Sequence, residues 1–223
     1  MSSAKVENTH KAYSRPEELT NFITYAVAAA LSFVGLVFLL YASIVSASPK
    51  IGCFAAFAFI AFAVFAFGAL CHILQRYRMF CALCKRIDRN AVALLVFGVF
   101  TSVFLVMFVG NGAADAVWGY TLFAIAAASV IAAVAVNIVN VKEYKIASLI
   151  LYVILGWACV LRLDVVYNIA GGAFFGLLIG GGAAYFVGVA VLALRMSASH
   201  ILSHLFIVSG AVLHFVALYT YVL

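Results

Sequence analysis

This sequence predicts an all-α, polytopic membrane protein, a bundle of seven transmembrane helices with a cytoplasmic amino terminus. Three observations predict it. Hydrophobic residues fill 68% of the 223 positions and charged residues 9%, against roughly 45 to 50% apolar in a soluble domain. The apolar residues collect into seven runs, each suited to a bilayer that takes roughly 20 residues per helix. Lys and Arg are shared unequally between alternate loops, which sets an orientation.

Residues 1–20 are polar and end in Arg15, Pro16, Glu17 and Glu18. They contain no short apolar stretch closing on a small-residue cleavage site, so the first span is expected to remain as an anchor. The spans are read at Asn21 to Ala47, Ile51 to Leu74, Asn90 to Val109, Ala116 to Val139, Ile146 to Leu161, Gly172 to Leu194 and Ile201 to Leu223. The stretch Val165 to Gly182 also admits a short re-entrant turn before the sixth span. Along the sixth span Gly172, Gly176, Gly180, Ala184 and Gly188 place a small residue at every fourth position, which lets another backbone approach. Tight packing inside the bundle is favoured over a homo-oligomer, which such a stripe also permits. No repeat or linker divides the chain, and one membrane domain follows the polar segment.

With the amino terminus inside, the inner segments hold Lys5, Lys11, Arg15, Arg76, Arg78, Lys85, Arg86, Arg89, Lys142, Lys145 and Arg195, while the outer ones hold Lys50 and Arg162. Eleven against two of the 13 basic residues puts the amino terminus in the cytoplasm and the carboxyl terminus outside, provided the number of spans is odd. The net charge of +6 therefore reads as topology and contact with anionic lipid heads, and nucleic acid is not an expected partner. The five cysteines, Cys53, Cys71, Cys81, Cys84 and Cys159, are an odd set and imply no disulfide framework.

Ionisable groups at membrane depth are costly, so each is a functional candidate. His200 and His204 stand four apart at the start of the seventh span, where two imidazoles project from one helix face. That spacing alone is equally met by histidines bonded to their neighbours. The orientation adds to it, because His72 closes the second span and Asp88 opens the third on the same side. Three imidazoles and a water make a tetrahedral zinc site of the catalytic kind, and zinc there suits hydrolysis of an amide or ester. Three imidazoles accept other divalent ions as well. Asp88 is the candidate catalytic residue, as acceptor of the water's proton or as its orienter. Its alternatives are a helix cap or a partner for Arg86 or Arg89.

His214 lies about 15 Å further along the helix than His204 and is read as a packed core histidine. Cys81-Ala-Leu-Cys84 has no second pair and sits in a reducing loop, so it is read as unliganded. Ser199 and Ser203 lack a carboxylate at triad spacing. A retinal protein is excluded, because no lysine follows Lys145.

Taken together, these motifs resemble the hemolysin III family, the bacterial branch of the progestin and adiponectin receptor (PAQR) proteins, over Glu17 to Leu223. The markers are Glu17-Glu18 with Asn21, Leu70-Cys71-His72, Lys85-Arg86-Ile87-Asp88, Lys145-Ile146-Ala147-Ser148, Gly156-Trp157, Gly181-Gly182-Ala183-Ala184-Tyr185, the His200 to His204 motif and His214-Phe215. The resemblance implies a seven-helix domain over 21–223, zinc on His72, His200 and His204, and Asp88 near the metal-bound water. It also implies kinship with alkaline ceramidase-like membrane hydrolases. Three positions depart from the pattern. Gly68 stands where a serine is usual and Tyr25 where a histidine is usual, and Arg89 and Asn90 follow Asp88 in place of a histidine.

The expected function is a zinc-dependent lipid amide hydrolase in the cell membrane, with membrane lipids as partners and a lipid amide entering sideways through an apolar tunnel. The alternatives are a non-enzymatic lipid sensor or stress-related protein with structural zinc, and the cytolytic activity that the family name suggests. A pore would need a polar lining, which spans this poor in charge do not offer.

Overall fold

In hydrocarbon every backbone N–H and C=O must find its partner within the chain, and a long apolar run meets that condition as a helix. The computed structural model describes residues 15–45, 51–74, 77–140, 145–194 and 198–222, and some side chains inside these ranges are not described. Among the described residues the elements are α1 (Arg15–Val45), α2 (Ile51–Leu74), α3 (Arg78–Ser102), α4 (Ala113–Asn140), α5 (Lys145–Val160), α6 (Leu163–Ala193) and α7 (Ser199–Val222). A π-helical turn, Val103–Phe108, continues α3. Six of these helices are long and apolar enough to cross a membrane. The exception is α5, whose 16 residues fall short of the roughly 20 that a spanning helix needs.

The protein is a multi-pass membrane helical bundle. Its outer surface carries large apolar side chains such as Phe33, Phe67, Val139 and Phe186, the last 76% exposed, which suits contact with lipid rather than water. The core is aromatic and aliphatic, built on Phe57, Phe65, Leu95, Phe104, Phe108, Leu122 and Leu218. Packing runs α1 on α2, α2 on α3, α4 on α5 and α6 on α7, and α1 closes the bundle against α7. That closure brings the start of α1, the end of α2 and the start of α7 to one end of the molecule.

Polar contacts fasten both ends. At the end holding the start of α3, Asn137 Nδ2 donates to Asn90 Oδ1 at 2.9 Å, and Asn90 Nδ2 donates to the Arg86 carbonyl at 2.8 Å. Asn90 thus ties α3 to α4. At the opposite end Arg162 pairs with Asp115 at 3.0 Å and Asp164 at 3.3 Å, and its guanidinium lies over the Trp118 ring.

Two expectations are refined. The stretch from Val165 is helical rather than re-entrant, with a break at Gly171, whose φ of 76° favours glycine. The small-residue stripe packs over only part of its length. Gly188 meets the Ser203 carbonyl and Phe206 of α7, whereas Gly172 and Gly176 are exposed and near no other helix.

Candidate metal centre

Helical phase builds the site. His72 ends α2, and His200 and His204, one turn apart, begin α7. All three are buried, at 7%, 7% and 1% exposure, and one ligand nitrogen from each lies within 4.8 Å of the others. The rings are 5.6 Å apart for His72 and His200, 5.2 Å for His72 and His204, and 4.3 Å for His200 and His204. These are the three histidines predicted to meet, and the fold brings them together.

The first turns of α1 complete the cluster. Sequence reading places Glu18 in the polar segment before the first span, yet it lies inside α1 and its carboxylate reaches across to α2. His72 Nδ1 donates to Glu18 Oε2 at 2.8 Å. A carboxylate at this distance only accepts, so in the neutral imidazole Nδ1 carries the proton and Nε2 keeps its lone pair. Tyr25, two turns further on, stacks on His204 with centroids 4.0 Å apart and planes 18° apart, and its ring also lies 5.7 Å from that of His72. Between them Asn21 is fully buried, and neither atom of its amide has a hydrogen-bond partner among the described residues.

The donor set fits a metal ion. Three buried imidazoles converge, and one is oriented from behind by a carboxylate, the arrangement that supports histidine–metal ligation. Nitrogens within 4.8 Å come into range of one ion with bonds of about 2.0–2.1 Å after small ring rotations. The cluster can therefore hold a divalent ion, and its chemistry leaves open which one.

Only some of the other predicted groups are described. Asp88 belongs to α3, but its side chain lies outside those described, as do those of Cys53, Cys81 and Cys159. Cys84 is buried and its Sγ faces the Cys71 carbonyl at 3.7 Å. His214 is a core histidine, as expected, with Nε2 at 3.0 Å from the Leu178 carbonyl and its ring edge-on to Tyr185 and Phe57. An apolar cleft of about 250 Å³, lined by Phe33, Val34, Val37, Phe38 and Tyr41, lies along α1 and includes none of the histidines.

Sequence reasoning missed Glu18, Asn21 and Tyr25 as parts of the site. Glu18 and Asn21 stand among the family markers and Tyr25 among the departures, but nothing local ties an acid to a histidine 54 positions away. A face shared by residues 18, 21 and 25 of one helix was the available signal.

Comparison with known proteins identifies the family. The chain is 29% identical over 209 residues to Hemolysin-3 of Bacillus cereus, covering 93% of this chain and 92% of that protein. It is 26% identical over 197 residues to a Hemolysin-3 homolog of Bacillus subtilis (strain 168), covering 87% and 89%. Residues 13–215, which take in Glu18, Tyr25 and all three histidines, match the haemolysin-III-related family, and the chain belongs to that family.

Proposed function

We propose that this protein is a zinc-dependent hydrolase of lipid amides, with the ion held by His72, His200 and His204. The observation that carries the proposal is the convergence of three buried imidazoles at the end of a membrane bundle, with Glu18 behind one of them. Zinc, when bound, lowers the pKa of a coordinated water to about 7 and polarises a carbonyl oxygen.

The chain's own residues supply the rest. Glu18 keeps the proton on His72 Nδ1 and so aims Nε2 into the cluster. Asp88 serves as the proton acceptor, the role suggested by its place inside α3 just before the apolar span Arg89–Phe108. Asn21 supports a ligand-binding pocket, because a buried amide with no partner among the described residues gains one from a bound polar group. The kinship with PAQR proteins and alkaline ceramidases that the sequence resemblance implies points the same way by analogy. The bias of basic residues toward one set of loops supports a cell-membrane protein with its amino terminus and metal centre on the cytoplasmic side. Membrane lipids are then its natural partners, and the exposed apolar surface supports entry of substrate from the bilayer.

A lytic activity is the second reading, favoured by the name of the Bacillus cereus relative. Against it, each candidate span has an 18-residue window with at most two charged residues, which leaves little for a polar pore lining.

The test is elemental analysis of the detergent-purified protein beside His72→Ala, His200→Ala and His204→Ala, followed by assays of lipid amide cleavage and erythrocyte lysis. The hydrolase reading expects about one zinc per chain, lost in each variant, and cleavage that disappears with the metal. A wild type free of metal overturns it. Lysis that survives removal of the metal would favour the second reading.

A further inference from the structure

Two features of the site belong together. The Tyr25 ring, 1% exposed, is stacked on His204 and lies 5.5 Å from Phe65. It occupies space that only a glycine at position 68 leaves open. A Cβ built on Gly68 would lie 2.3 Å from Tyr25 Cδ2 and 2.4 Å from Cε2. Gly68 sits one turn before His72 on α2, so a single helix face provides both a candidate ligand and the gap that admits the ring.

The imidazole of a histidine turns easily about its outer torsion, whose preferences are broad, so its plane is set by what touches it. Of the three described rings against His204, Tyr25 lies most nearly parallel, at 18°, while His200 and His72 approach at 55° and 61°. We propose that Tyr25 is the positioning residue for His204 and that Gly68 is its seat, the two acting as one unit that fixes a ligand plane in the metal centre. Tyr25 and Gly68 are then one coupled pair, in which the large ring is accommodated by the small residue facing it.

This inference rests on the metal reading above and goes beyond it. It is tested by titrating Co²⁺ into the full-length, metal-stripped protein and following the visible ligand-field bands and the dissociation constant. Tyr25→Leu, which keeps bulk but has no flat face, is expected to bind about 10-fold or more weakly, as for other residues that orient a ligand, with altered bands. Tyr25→Phe keeps the ring face and is expected to bind more tightly than Tyr25→Leu and to keep the wild-type bands. Gly68→Ala is expected to weaken binding in the wild-type background and to have no further effect beside Tyr25→Ala, because the clash leaves with the ring. Should Gly68→Ala alone fail to fold, the Gly68→Ala/Tyr25→Ala protein still answers, since it is expected to fold and bind as Tyr25→Ala does.

Wild-type affinity and bands in Tyr25→Leu would overturn the inference while leaving the metal site standing. Equal losses in Tyr25→Phe and Tyr25→Leu, or a Gly68→Ala effect that persists without the tyrosine, would also overturn it. No Co²⁺ binding by the wild type would overturn the metal reading and this inference with it.

Discussion

Glu18 shows how much one side chain adds to a group of histidines. Its carboxylate meets His72 at Nδ1 and leaves Nε2 to be the ligand nitrogen. Replacing Glu18 by Gln retains an acceptor of similar shape but removes the charge that strengthens the bond. Metal affinity of Glu18→Gln is expected to fall about 10- to 100-fold, measured by competition against a chelator of known affinity, with the helical content unchanged. The histidines themselves were legible in the sequence, because span ends and loop charges put His72, His200 and His204 at one depth. Glu18 was not, since its partnership depends on how closely α1 packs on α2, and spacing within one segment says nothing about that distance.

Helix packing is decided by small residues, though not by all of those that form a pattern. On α6 the four-residue spacing picks out Gly172 through Gly188, yet the closest approaches to α7 include Gly181, which the spacing skips. A Cβ on Gly181 would lie 2.4 Å from the His214 ring, and one on Gly210 would lie 2.5 Å from Tyr185 and 2.8 Å from the Gly181 carbonyl. Two crossing helices touch over a limited length, so residues far from the crossing stay outside the contact whatever their period. Gly210→Leu is accordingly expected to destabilise the protein by about 1 to 3 kcal/mol, because a backbone atom stands in the way. Gly176→Ala has open space around it and is expected to be neutral or to stabilise by about 0.5 to 1 kcal/mol. Thermal unfolding in one detergent compares the two.

Topology belongs to the molecule as a whole. Six helices are long enough to span, and the 16 residues of α5, about 24 Å of helix, decide whether the number of crossings is odd. The charge bias is the same whether or not α5 crosses, because Arg162 and Arg195 only exchange sides, but the meeting of His72 at the end of α2 with His200 and His204 at the start of α7 requires that it cross, by local thinning of the bilayer or by using its flanking residues. Alkaline phosphatase fused after Leu223 is therefore expected to be active and a green-fluorescent reporter there dark, as for an outside carboxyl terminus. The opposite pair of results would mean an even number of crossings, with both termini on one side.

Hydrophobic composition and run length by themselves determined that this chain is a membrane helical bundle, because a bilayer leaves an apolar run few alternatives to helix. They also determined which histidines lie near one end, since position along a span is position in depth. Only the tertiary structure decided which side chains complete the site. Glu18 behind His72, Tyr25 against His204 and the gap at Gly68 depend on the rotation and distance of α1 relative to α2 and α7. Those quantities come from the packing of all the helices at once, and no single stretch of sequence carries them.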